Sequence, residues 1–141
     1  MNILIDTSVW SLALRRKIQD LNAQERVLVE QLAELVREGR TRLIGPVRQE
    51  LLSGIKMSAQ FEKLRVVLRA FPDELISIED YEAAAKANND CRAKGIVVST
   101  VDILICAVAL RRDLLIYTTD PDFKRYAKVL PLKFYGTARR P

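Results

Sequence analysis

The 141-residue sequence contains no histidine. That absence excludes a Ser-His-Asp triad, a Cys-His pair, an imidazole general base and every histidine-ligated metal centre. Cysteine is scarce as well. Cys91 and Cys106 have no CxxC spacing and cannot build a zinc site. Both fall among apolar helical positions, where a thiol is expected to act as a small core residue. Five glycines and five prolines are too few for a long flexible linker. The longest unbroken apolar run, Ile103–Leu110, falls well short of the ~20 residues a membrane span needs. The opening Met1-Asn2-Ile3-Leu4-Ile5-Asp6 has neither a basic stretch nor a small-residue cleavage site, so the expected location is cytoplasmic. Any chemistry is left to carboxylates, hydroxyls, Lys and Arg. Any metal would have to accept an all-oxygen site, which suits Mg²⁺ or Mn²⁺.

What is present is ordinary for a globular protein: 49% hydrophobic and 29% charged residues. The length suits a single domain spanning residues 1–141. The 23 Lys+Arg against 18 Asp+Glu give a formal charge of +5. This leans toward a polyanionic partner, although a plainly basic soluble surface would give the same balance.

Apolar patterning predicts strands alternating with helices. Ile3–Ile5 reads as a buried strand, and Val9, Trp10, Leu12, Ala13 and Leu14 as a short helix. A polar loop over 17–22 follows. Asn22 with Glu25 forms a capping-box pattern before Leu28, Leu32, Leu35 and Val36, and Gly39 marks a stop. Arg42–Ile44 reads as a strand, and Pro46 opens a helix carrying Val47, Glu50, Leu51 and Leu52. Ser58 is expected to cap a helix with Phe61, Leu64, Leu68 and Phe71 on its buried face. Leu75–Ile78 is expected as a strand. Ser77 with Asp80 then starts a helix facing inward through Tyr81, Ala84, Ala85, Asn88 and Cys91, with Gly95 beyond it. Ser99 begins a helix apolar almost all round, which predicts central burial. Leu114–Tyr117 reads as a strand, Asp120-Pro121 opens a last short helix, and Leu132–Tyr135 reads as an edge strand. Such alternation implies βαβ units, hence a three-layer α/β/α fold with a central, mainly parallel sheet.

Ligands of parallel sheets bind beyond the carboxyl ends of the strands. Four acids fall there: Asp6 after the first strand, Glu50 early in the helix after 42–44, Asp102 in the first turn of the buried helix, and Asp120 after 114–117. Each also has a plain structural reading. Asp6 and Asp120 suit N-caps, Asp102 complements a helix dipole, and Glu50 suits a solvated face. Together they would crowd one pocket with negative charge, which a divalent cation relieves. Thr7, Ser8, Thr118 and Thr119 flank Asp6 and Asp120 with hydroxyls.

These residues resemble a known family. Ile3 through Trp10, Val47 through Gly54 around Glu50, Gly95 through Ala107 around Asp102, and Tyr117 through Phe123 are similar to the motifs of the PIN domain, and within it to the VapC toxins of toxin–antitoxin pairs. The resemblance implies an endoribonuclease that needs Mg²⁺ or Mn²⁺ and cleaves single-stranded or loop RNA through metal-activated water, leaving a 5′-phosphate and a 3′-hydroxyl. It assigns catalysis to Asp6, Glu50, Asp102 and Asp120, and metal binding to Asp6, Asp102 and Asp120. Accessory roles fall to Thr7, Ser8, Thr119 and Asp122. It also implies a homodimer and a VapB-type antitoxin. Arg15, Arg16, Lys17, Lys124, Arg125 and Lys128 are candidates to hold the RNA backbone. Trp10, Leu14, Val29 and Leu32 are candidates for the antitoxin surface. Cys106 departs from the alanine expected in many relatives, and the segment 17–38 is longer than in the shortest. An aspartyl-phosphate protein fits poorly, since Asp6 has no acidic partner beside it and Ser8 stands where a phosphatase needs Asp. A catalytically silent PIN-like module binding RNA or protein is the alternative.

Overall fold

The structure, a computed structural model, describes residues 1–136. Its elements run β1 (Ile3–Ile5), α1 (Thr7–Leu14), a 3₁₀ turn (Ile18–Asp20), α2 (Ala23–Arg37), β2 (Thr41–Ile44), α3 (Gly45–Leu52), α4 (Ser58–Leu68), β3 (Asp73–Glu74), α5 (Ile78–Ala93), α6 (Thr100–Arg112), β4 (Leu115–Tyr117) and α7 (Asp122–Tyr126). The four strands pair in the order β3-β2-β1-β4, all parallel. The expected α/β/α architecture is therefore present. β1 lies in the middle with Ile3, Leu4 and Ile5 fully buried, as a strand covered on both faces requires.

The order of pairing locates the site before any side chain is considered. From β1 the chain steps outward through β2 to β3, and then returns to place β4 on the other flank of β1. The direction of winding reverses between β1 and β4, so their carboxyl ends splay into a crevice. The residues emerging there are Asp6 and Thr118–Asp120.

Helix ends follow the local signals. Asn22 and Glu25 close a reciprocal capping box on α2, and Ser77 and Asp80 close one on α5. Gly39 and Gly95 adopt positive φ and end α2 and α5 in paired Schellman bonds, Arg40 N to Leu35 O and Ile96 N to Cys91 O among them. α6 is buried from Ile103 through Ala109, and both cysteines are free and buried.

Several expectations fail locally. The strand expected at Leu75–Ile78 lies instead at Asp73–Glu74, in register with Leu43 and Ile44. The capping box claims Ser77, so Ile78 opens α5. Leu75 and Ile78 are left 81% and 75% exposed. The buried face of α5 runs through Ala84, Ala87 and Cys91, while Tyr81 and Ala85 point outward. Ser58 is the first helical residue of α4 rather than its cap, and Phe61 is partly exposed. Leu132–Tyr135 contributes one parallel bridge, Phe134 to Ile116, instead of a full strand. Trp10 and Leu32 are buried, with Trp10 edge-on to Phe71 at 5.0 Å, so both serve the core and not an antitoxin surface.

One charged cluster secures the α5–α6 pair. Asp80 is fully buried at the start of α5. Its carboxylate accepts from the Ser77 amide at 2.8 Å, from Arg111 at 2.7 Å and from Arg112, both arginines coming from the last turn of α6. Arg112 also pairs with Glu74 on β3 at 3.3 Å. Burial by itself would raise the Asp80 pKa. The Ser77 amide, Arg111, the Ser77 hydroxyl and Arg112 together outweigh it and bring it from 3.8 to about 2. A depressed carboxyl contributes stability that is complete above its unfolded value and lost as pH falls through the folded one. Asp80→Ala should therefore cost about 3 kcal/mol at pH 7, because it removes the buried partner shared by Arg111 and Arg112. The difference from the parent protein in urea titrations should shrink between pH 4 and pH 2. An unchanged midpoint at pH 7 would show that the cluster is not stabilising.

Candidate active site

Asp6 ends β1 and caps α1. Its amide donates to Tyr117 O across the sheet at 2.9 Å, which fixes its backbone against β4. Its carboxylate is buried at 4% exposure and accepts from the Ser8 amide, from Ser8 Oγ at 2.7 Å and from Thr118 Oγ1 at 2.7 Å. A hydroxyl has one proton to give. With both protons spent on Asp6, the 3.3 Å approach of Ser8 Oγ to Thr118 Oγ1 is a contact and not a further bond. The two hydroxyl oxygens in turn accept backbone amides, Thr119 N to Ser8 Oγ and Asp120 N to Thr118 Oγ1, both at 3.0 Å. The loop after β4 is thus laced to the end of β1 through a buried carboxylate.

Asp120 stands at the end of that loop, half-buried, and its Oδ1 accepts the amide of Asp122, the first residue of α7, at 2.9 Å. Asp102 is the third residue of α6, with its amide bound to Ser99 Oγ at 3.1 Å. Its Oδ2 accepts a 2.8 Å bond from the hydroxyl of Tyr126, a buried residue of α7. Burial raises the Asp102 pKa, and the charges of Asp6 and Asp120 raise it further. The Tyr126 bond opposes them, leaving a value of about 6. Tyr126 itself is raised, by burial and then by the Asp102 it donates to. The charges of Asp6 and Asp120 thus act on Asp102, so the three acids lie near one another at this edge of the sheet.

Glu50 joins from the other side. It is exposed on α3, and Thr7 Oγ1 donates to its Oε1 at 2.6 Å. Arg48 pins α3 to its surroundings, with Nε on Asp73 at 2.9 Å and one Nη on Leu68 O at 3.0 Å. Of the accessory residues, Thr7 and Ser8 take part through their hydroxyls. Thr119 takes part only through its amide, and its side chain is exposed. Asp122 likewise contributes its amide, while its carboxylate pairs with Arg125 at 3.7 Å. Among the cations, Arg16 pairs with Glu25 at 3.8 Å, and Arg15, Arg16 and Lys17 line a separate groove with Lys56 and Lys63. Lys124 lines a cavity beside Asp120, and Lys128 is exposed. Tyr126 was not foreseen. Its ring fits the apolar face of a short helix, and no local pattern announces that its hydroxyl meets Asp102 from 24 residues away.

A family model described as PIN domain matches residues 3–129. The chain belongs to the PIN domain family. Solved structures share its fold at low identity. FitAcB from Neisseria gonorrhoeae is 19% identical with a TM-score of 0.74, covering 98% of this chain and 99% of its own. VapBC2 from Rickettsia felis, bound to a DNA fragment from their promoter, is 19% identical with a TM-score of 0.70, covering 95% and 97%. VapBC-1 from nontypeable Haemophilus influenzae is 14% identical with a TM-score of 0.70, covering 95% and 96%. No curated protein matches the sequence. Among the described residues, no helix of this PIN domain is long and apolar enough to cross a membrane.

The pocket's donors are all oxygens and carry net negative charge, which fits Mg²⁺ or Mn²⁺ and not zinc. As placed, each carboxylate is engaged by a protein donor, and among the described residues no three acidic or thiol side chains stand close enough to enclose an ion. A carboxyl whose folded pKa is raised loses stability as pH rises from its unfolded value to its folded one. Asp102→Asn should therefore stabilise the metal-free protein by about 2 kcal/mol above pH 6, with little gain below pH 4. Thermal melts in EDTA across that range measure it, and equal melting temperatures at pH 7.5 would show that the acids do not repel.

Proposed function

We propose that the protein is a metal-dependent endoribonuclease and the toxin of a VapBC-type pair. The observation that supports this most directly is that Asp6 and Asp120, following β1 and β4 at the reversal point of a PIN-domain sheet, lie near enough to Asp102, at the α5–α6 junction, for their charges to raise its pKa. These three residues would hold Mg²⁺ or Mn²⁺, which when bound supplies Lewis-acid activation of water and neutralises charge developing on the phosphodiester. Asp6 is already fixed by Ser8 and Thr118, and Asp102 by Tyr126, so two of the three carboxylates need little ordering to receive a cation. Glu50, steadied by Thr7, would orient water or accept its proton. Hydrolysis leaves a 5′-phosphate and a 3′-hydroxyl and calls on neither histidine nor the substrate's 2′-hydroxyl.

Purified protein should cleave single-stranded or loop RNA in Mg²⁺ or Mn²⁺ and stop in excess EDTA. Asp6→Asn, Asp102→Asn and Asp120→Asn should each lower the rate at least a hundredfold with the fold intact by circular dichroism, and Asp122→Asn far less. Wild-type cleavage by Asp102→Asn, or full activity without metal, would overturn the assignment. RNA binding with no cleavage under any metal would favour the silent module.

The location is read as cytoplasmic, and the partner reading is that of a homodimer with a VapB-type antitoxin. Two surfaces support it. Leu75, Ile78 and Tyr81 expose apolar area at the start of α5. A groove of about 690 Å³ between α1 and α4 combines Leu14, Ile55 and Val67 with five cations and no acid, which suits an acidic amphipathic segment. An Arg or Lys of the antitoxin is expected to enter the acidic pocket, where pairing with carboxylates is strong. Light scattering should give twice the chain mass for the toxin alone. Antitoxin affinity should weaken as Mg²⁺ rises at fixed ionic strength. A flat dependence would mean that inhibition does not involve the acids.

A further inference from the structure

Beside the acidic pocket lies a cavity of about 510 Å³ that the catalytic reading does not use. It opens between the start of α2, the end of β4 and the segment around the Phe134 bridge. Its lining is of two kinds. Leu28, Ile116, Phe134 and Tyr135 give it an apolar, partly aromatic interior, while Gln24, Glu25 and Lys124 supply polar ends of both charges. Thr118, Thr119 and Asp120 belong both to this lining and to the laced loop of the acid site. The cavity and the carboxylates are therefore two ends of one surface.

We infer that this cavity is a nucleobase subsite, holding the base of a nucleotide that flanks the scissile phosphate. The inference rests on the nuclease reading for the position of that phosphate. Volume and lining support it. The space falls within the usual range for small-ligand sites, which are mostly apolar with a few placed polar groups. Single-stranded RNA is read by splaying bases onto aromatic side chains and bonding their edges, and Tyr135 with Gln24 offers that pair of contacts. Tyr117 meets Tyr135 edge to face at 5.0 Å and anchors its own hydroxyl on Leu28 O at 2.9 Å, which ties the aromatic side to α2. Lys124 has no side-chain partner among the described residues, whereas its neighbour Arg125 is paired with Asp122. Lys124 is thus the α7 cation left to meet a phosphate beside the bound base. A base held here leaves its own backbone next to Asp120, so the subsite sets which phosphodiester meets the acids. Cleavage preference then follows from the base that the cavity accepts.

The test uses the full chain with labelled Leu and Ile methyl groups and the four nucleoside 5′-monophosphates as probes in NMR titrations, with ribose 5-phosphate as control. The expected result is saturable shifts at Leu28 and Ile116 that differ among the bases, are absent with ribose 5-phosphate, and weaken at least fivefold in Lys124→Ala and Gln24→Ala. No shift by 10 mM, or equal shifts with ribose 5-phosphate, overturns the subsite. In parallel, oligoribonucleotides abasic on one or the other side of the mapped cut should lose at least tenfold in kcat/KM on one side, the size expected when one stacked base is removed. Cleavage indifferent to both abasic positions overturns the subsite and leaves the nuclease reading standing. Base-dependent nucleotide shifts without any RNA cleavage would do the reverse.

Discussion

The buried carboxylate of Asp6 is the constraint on which the site's geometry depends. A charge at 4% exposure persists only if it is hydrogen-bonded, and here two hydroxyls and an amide converge on its Oδ2. Those hydroxyls belong to Ser8 on α1 and Thr118 after β4, so satisfying one charge ties two elements together. Both hydroxyl oxygens then order the amides of Thr119 and Asp120. Asp120 is thereby positioned by the group whose charge it opposes. The repulsion that results appears at Asp102, whose carboxyl is pushed up to about 6 by burial and by both neighbours. The site stores electrostatic strain, which a divalent cation would release.

Helix α6 carries opposite charges at its two ends. Its middle is buried on every side and carries none. Asp102 stands in its first turn and Arg111 and Arg112 in its last, each complementing the helix dipole. At the far end the arginines close on buried Asp80 and on Glu74 of β3. The same arginines thereby set α6 against both α5 and the sheet edge, holding the helix that carries Asp102. The cluster stabilises without taking part in chemistry, because it lies a whole helix away from the pocket.

The plain and the catalytic readings of the acids turn out to be compatible. Asp6 caps α1, Asp120 accepts the amide that opens α7, and Asp102 occupies the third position of α6. Capping and the helix dipole favour an acid at a helix start, and parallel topology collects the strand-to-helix junctions of Asp6 and Asp120 on one edge, beside the α5–α6 junction that carries Asp102. A local rule that favours acids at helix starts thus becomes, after folding, a shared pocket.

Periodicity and capping alone were enough for the order of elements, because each depends on neighbours three or four residues away. β1, α2 with its capping box, buried α6 and the Gly39 and Gly95 stops all follow from such short-range signals. Asp6, Asp102 and Asp120 were visible for the same reason, as each sits at a helix start that the pattern marks, whereas Glu50 lies inside α3. The edge strand was misplaced because Leu75–Ile78 is apolar, yet β3 is fixed by charge, with Asp73 held by Arg48 and Glu74 by Arg112. Tyr126 was missed because its hydroxyl is defined by a residue on another helix. The exposure of Tyr81 and the burial of Trp10 likewise depend on which helices lie against α5 and α1. Side-chain periodicity says that a residue has an inward or outward face; which carboxylates meet, and which hydroxyls hold them, is fixed only when long-range contacts close the sheet.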